Sequence, residues 1–123
     1  MHHPELRQEI VDSARRMNAL GINQGTSGNL GVRVDDGLLV TPSGLAYEAM
    51  AAEDVVWMDF DGNWSCPAVG RKPTSEWHIH RDVLAGRPDV GAVVHTHAMF
   101  CTTLSCLHRD IPPFHYMIAV AGG

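Results

Sequence analysis

Two histidines one residue apart close an apolar, β-branched run, Ala92-Val93-Val94-His95-Thr96-His97. A strand points residues i and i+2 to the same side, so His95 and His97 can offer two imidazoles to one ion. Zinc takes imidazole nitrogen, and a catalytic zinc commonly keeps three protein ligands and one open position. The pair would supply two of the three. The same short pattern also fits ordinary strand histidines, and spacing alone leaves both possibilities open.

A carboxylate with chemical potential stands upstream, in Thr74-Ser75-Glu76 at the start of an expected helix that runs to about Ala85. Ser75 suits the N-cap, and Glu76 sits in the first turn, where the helix dipole favours a negative charge. Capping is one role for these residues. Exposed N–H groups at the same helix start could also receive an anion. Two further loops are rich in glycine and hydroxyls: Gly25-Thr26-Ser27-Gly28-Asn29-Leu30 and Thr41-Pro42-Ser43-Gly44. Such loops can turn several N–H groups toward one anion. Neither is a Walker loop or a dinucleotide fingerprint, and either could be a plain turn.

Positioning these groups falls to a mixed set of elements. Leu6, Ile10, Val11, Ala14, Met17 and Leu20 share one face of a helix from Pro4 to Leu20, with Gly21 at its C′ position. Gly31-Val34 and Leu38-Thr41 read as a hairpin around Asp36-Gly37, and Val55-Met58 turns back at Asp61-Gly62 toward Trp64. A short helical turn is expected from Leu45 to Met50. On the helix after Ser75, Trp77, Ile79, Val83 and Leu84 read as packing residues. His78 and His80 there face different sides and form no metal pair. After His97 a helix is expected from about Ala98 to Leu107, then an apolar strand from Phe114 to Val120. The hairpin signals at Asp36-Gly37 and Asp61-Gly62 point to an α/β fold with antiparallel strands.

The 123 residues suit one domain, 1–123, with 45% hydrophobic residues and a formal charge of −5. That charge, without a basic patch, argues against nucleic acid. No apolar run is long enough for a membrane span, and no signal-peptide core follows Met1. Cys66, Cys101 and Cys106 form no Cys-x-x-Cys pair, and the odd count suits reduced thiols in a cytoplasm.

In this order, the loops at Gly25–Leu30 and Thr41–Gly44, Thr74-Ser75-Glu76, His95-Thr96-His97 and the closing His115-Tyr116 resemble the class II aldolase/adducin family, nearest its L-fuculose-phosphate aldolase group. The resemblance implies a three-layer α/β/α fold, with a central, largely antiparallel sheet covered by helices on both faces, and cleavage of a ketose 1-phosphate to dihydroxyacetone phosphate and an aldehyde through a metal-stabilised enediolate. It implies that Asn29, Ser43, Gly44, Thr74 and Ser75 hold the substrate phosphate and that His95 and His97 bind Zn2+ (or another divalent metal). Glu76 would transfer the proton and could also ligate the metal in the absence of substrate. Tyr116 would reach the aldehyde end from a neighbouring subunit of a homotetramer. Thr74 stands where serine is common and keeps the hydroxyl. The family's third zinc histidine lies downstream of His97, in a segment not present here; His108 and His115 are not at its place and read as structural. The expectation is therefore an incomplete domain, whose 123 residues alone would be inactive and would leave the apolar run near Val120 uncovered. Within the family, epimerases tend to carry aspartate where Glu76 stands; dehydratases and decarboxylases remain compatible. An adducin-like binding module would lose the zinc histidines, and both are present.

Physical chemistry agrees with those implied roles. Carbon–carbon cleavage leaves negative charge on the ketone half, which a Lewis acid stabilises. A nearby carboxylate can move the proton. The phosphate acts as a remote handle that orients the reacting carbons. Hydroxyls and backbone N–H groups can hold it without arginines, so an acidic chain can take an anionic sugar.

Overall fold

The apolar period of the first segment becomes helix α1, Pro4–Ala19, in the computed structural model, which describes residues 2–122. Its buried face is Arg7, Ile10, Val11, Ala14 and Met17. Leu20, expected on that face, is 63% exposed, because the helix has already ended there. Gly21 takes φ +70°; its N–H reaches Asn18 O, and the Ile22 N–H reaches Met17 O. That pair of bonds closes the helix as a Schellman motif, which favours glycine at this position.

Five strands follow: β1 Asn29–Val34, β2 Gly37–Val40, β3 Val56–Met58, β4 Trp64–Ser65 and β5 Ala92–His95. They form one antiparallel sheet in the order β4-β3-β2-β1-β5. The first hairpin turns on Asp35-Asp36, with Val34 opposite Gly37. Gly37 thus opens β2 and is not a turn residue. A Cβ there would collide with the Met58 carbonyl, so the close approach of β3 requires glycine.

The period of two along β2 divides the core. Leu39 packs with Ile10, Val11, Ala14 and Met17 of α1. Leu38 and Val40 face the opposite side, with Val56, Met58 and Leu84. Leu84 belongs to helix α2, Trp77–Gly86. Helices therefore cover both faces, as expected. Ile79 and Val83 are partly exposed at 47% and 37%, whereas His80 and Leu84 point inward. The inward stripe of α2 runs through positions four apart, so Ile79 and Val83 lie to one side of it.

Helix α3, Met99–Cys106, follows β5. The segment expected as a strand near Phe114 to Val120 instead forms a 3-10 turn, Tyr116–Ala121. Local bonds replace a strand partner: His115 Nδ1 accepts from the Met117 N–H, and His115 O accepts from the Ile118 N–H. Tyr47–Ala49 is a similar short turn. Among the described residues no helix is long and apolar enough to cross a membrane.

Candidate active site

Strand β1 and helix α2 meet in matched steps. Asn29, Gly31 and Arg33 share the α2 side of the sheet, while Leu30 and Val34 are buried on the α1 side with Val32 packed beside them. Two strand residues advance about 6.6–6.8 Å, and four helical residues about 6 Å. The partners on α2 accordingly fall every four residues. Asn29 Nδ2 donates to Glu76 Oε2 at 2.6 Å. Gly31 lies under the His80 ring, where a Cβ would stand 2.6 Å from Nδ1. Arg33 donates to the carbonyls of Leu84 and Arg87, at the C-terminal end of the helix. A guanidinium there also complements the helix dipole.

This arrangement fixes Glu76. Its residue is the N-cap of α2, without a side-chain capping bond, so the carboxylate is not occupied by its own helix. Ser75, expected at the N-cap, lies one residue earlier and is exposed. Oε2 also lies 2.9 Å from His95 Nδ1. The two atoms are close but not aligned as a hydrogen bond, and buried His95 Nδ1 has no other partner. His95 stands directly across the ladder from Asn29, which places it on the same side of the sheet.

His97 reaches the group differently from the expected strand alternation. β5 ends at His95, opposite Asn29, where β1 itself begins. Beyond it no ladder partner is available, and the His97 N–H instead donates to Asn23 Oδ1 at 3.0 Å. The two imidazoles still lie with centroids 4.9 Å apart. Ligand atoms of Glu76, His95 and His97 all lie within 4.8 Å of one another. Ligands of a tetrahedral zinc are about 3.4 Å apart, a distance small side-chain rotations bring within reach. One carboxylate and two imidazoles, one of them with its buried nitrogen unpartnered, fit a divalent cation such as zinc.

The three polar loops converge on the same end of the sheet through Thr41. In a regular antiparallel pair, Leu30 and Thr41 would exchange two backbone bonds. Here Thr41 N–H donates to Leu30 O at 3.0 Å, but the Thr41 carbonyl accepts from the Thr74 N–H at 2.9 Å. The Thr41 hydroxyl takes the vacated place and accepts from the Leu30 N–H at 3.2 Å. Ser43 N–H donates to Lys72 O, which sets the second and third loops side by side. Ser43, Gly44 and Ser75 are exposed, and Gly44 has φ +67°. Thr74 is buried, and its hydroxyl accepts weakly from the Glu76 N–H at 3.4 Å. Asn29 is 4% exposed; its amide engages Glu76 on one side and His80 on the other. One Nδ2 hydrogen remains for another acceptor. Tyr116 is 80% exposed on the 3-10 turn, its ring against His115.

Two groups escape a reading by motif. His80 is completely buried and sits 2.5 Å from Asn29 Oδ1 through Nε2. Burial pushes its pKa down to about 4, the nearby His95 adds to that, and Glu76 opposes it. The ring is therefore neutral, and since Asn29 must turn Nδ2 toward the carboxylate, His80 donates from Nε2. The spacing of Glu76, His80 and Leu84 was the available signal. Asn23 is the other: buried, it accepts from Ser27 and from the His97 backbone, and no motif marks it.

Comparison with known proteins supplies the lineage. A 5-methylthioribulose-1-phosphate/5-deoxyribulose-1-phosphate aldolase of Rhodospirillum rubrum is 58% identical over 118 residues, 96% of this chain and 52% of that protein. An L-fuculose phosphate aldolase of Escherichia coli is 46% identical over 123 residues, all of this chain and 56% of that protein. The chain thus spans about half the length of the curated relatives it matches. A solved L-fuculose 1-phosphate aldolase superposes with a TM-score of 0.87 at 34% identity, covering 98% of this chain and 57% of that one. The model of the Class II Aldolase and Adducin N-terminal domain matches residues 8–123, and the chain belongs to that family.

Proposed function

We propose that this protein is a zinc-dependent aldolase that cleaves a ketose 1-phosphate to dihydroxyacetone phosphate and an aldehyde. The observation that carries the reading is the gathering of Glu76, His95 and His97 within 4.8 Å, with Glu76 held from behind by Asn29. His95 and His97 would hold the metal, with Glu76 able to join them when substrate is absent. A bound divalent cation would supply Lewis-acid stabilisation of the charge that develops on the ketone half. Glu76 moves the proton: Oε2 already accepts from Asn29 and faces His95, which directs proton transfer to the rest of the carboxylate. Ser43, Gly44, Thr74 and Ser75 hold the phosphate, to which Asn29 adds its remaining N–H. Tyr116, exposed on its turn, acts on the aldehyde end of a neighbouring copy's site in an oligomer, a homotetramer in this reading. Relatives named for methylthioribulose, deoxyribulose and fuculose phosphates support the ketose 1-phosphate class. A cytoplasmic location goes with that metabolic role.

Glu76→Gln in the full-length protein tests the assignment. Glutamine keeps a carbonyl to accept from Asn29 but cannot carry the proton. Turnover is expected to fall roughly 10²–10⁴-fold, the usual share of general acid–base catalysis, with phosphate affinity retained. Turnover like that of the unaltered protein would return Glu76 to a structural role at the helix start.

A further inference from the structure

His80 performs no chemistry in the proposed reaction, yet its placement is costly. A fully buried imidazole leaves Nδ1 without a partner. A buried unpaired acceptor is destabilising, and an apolar side chain of similar size would avoid it. The ring fills the space that a Cβ on Gly31 would need. One nitrogen does have a partner: Nε2 donates to Asn29 Oδ1 at 2.5 Å. The carboxylate already turns Nδ2 of Asn29 toward Glu76, and the His80 bond to Oδ1 pins the amide from its other end.

We propose that His80 is a positioning residue for Glu76, acting through Asn29: the imidazole N–H holds the amide, and the amide holds the carboxylate beside His95. The three side chains form one line, from the buried imidazole at the middle of α2 to the carboxylate at its start. Glu76 has no capping bond of its own and is 35% exposed, so without Asn29 it would sample several rotamers. His95 and His97 gain a fixed third donor through this line. The inference rests on the proposed aldolase reading for its kinetic consequence but not for its geometric one.

The test compares His80→Gln with His80→Met in the full-length protein. The two replacements have nearly the same reach and volume, but only glutamine carries an N–H to where Nε2 stood. His80→Met is expected to lower kcat for a ketose 1-phosphate by about 10–100-fold and to weaken zinc binding, read by chelator competition, over the same range, the usual effect of losing an outer partner of a metal site. KM should rise less than kcat falls, since Asn29 is only one of the proposed phosphate contacts. His80→Gln should restore most of both. In an Asn29→Ala background, His80→Met should add nothing further, since its effect passes through Asn29. If His80→Met does not fold, Gly31→Ala displaces the same ring with its nitrogens intact and should reproduce the loss of zinc affinity.

A role limited to filling the core predicts equal behaviour of the glutamine and methionine variants and additive losses with Asn29→Ala; either result overturns the proposal. The zinc measurement needs no substrate. Failure of the unaltered protein to cleave any ketose 1-phosphate would therefore sink the functional reading while the zinc arm still decides the role of His80.

Discussion

Replacing Thr41 with valine asks whether its hydroxyl, not its bulk, joins the three loops. Thr41 is 1% exposed, so either side chain is removed from water. Valine has nearly the same shape and is more apolar; burial alone predicts a gain of up to about 0.8 kcal/mol for the extra methyl. The structure predicts the opposite sign. With the Thr41 carbonyl engaged by Thr74, the Leu30 N–H has only the hydroxyl to bond. Leaving that buried donor unpaired costs about 1–3 kcal/mol, for a net loss of about 0.2–2 kcal/mol once the full methyl gain is set against it. Thr41→Ser, which keeps the acceptor, should lose about 1 kcal/mol through the missing methyl and its cavity. Urea unfolding gives the stabilities, and amide exchange at Leu30 separates the two causes: protection should persist in the serine variant and fall in the valine variant. A valine variant as stable as the unaltered protein, with Leu30 still protected, would refute the reasoning.

Other outcomes follow from the same structure. His80 has its pKa lowered to about 4 in the fold, from 6.5 when free, so it favours the fold fully above about pH 6.5, and that share is lost as pH falls toward 4. The difference is worth about 3 kcal/mol; in metal-free protein, urea unfolding at pH 7 and pH 4.5 should show a smaller acid loss in His80→Gln than in the unaltered chain. Ser43→Ala should weaken both substrate and competing inorganic phosphate, by about 0.5–1.5 kcal/mol for one lost hydrogen bond; unchanged inhibition by phosphate would remove Ser43 from that site. A Cβ on Gly28 would stand 2.6 Å from Asn23 Oδ1 and 2.7 Å from His95 O, so Gly28→Ala should displace the end of β5 and lower zinc affinity, as chelator competition would show.

Much of the fold is legible because periodicity records burial. The face of α1, the glycine that ends it and both hairpins come from residue type and spacing, although the first turns on Asp35-Asp36 and not on Asp36-Gly37. What fails is local and has physical causes. Leu20 looks like a continuation of the α1 face, but the Schellman bonds end the helix before it. The apolar run near Val120 looks like a strand, yet strand formation needs a partner edge, and local bonds at His115 satisfy the backbone without one. At the site, the motif residues Glu76, His95 and His97 are readable individually. Their supports are not, because Asn23 and Thr41 act through single bonds to backbone groups distant in sequence, which leave no pattern.

The alternation of β1 carries a stronger consequence than packing. Its odd-numbered residues Asn29, Gly31 and Arg33 hold Glu76, accommodate His80 and anchor the end of α2, while Leu30, Val32 and Val34 fill the α1 side. A one-residue slip of β1 would exchange the two sets. Leucine and valine side chains would then meet the His80 ring where only glycine fits, and an arginine would enter the apolar layer beneath α1. No register other than the observed one both closes the core and presents a carboxylate to His95. Assembly of the Glu76–His95–His97 group and registration of the central strand are therefore the same event, and substitutions that loosen β1 should reduce metal affinity and stability together.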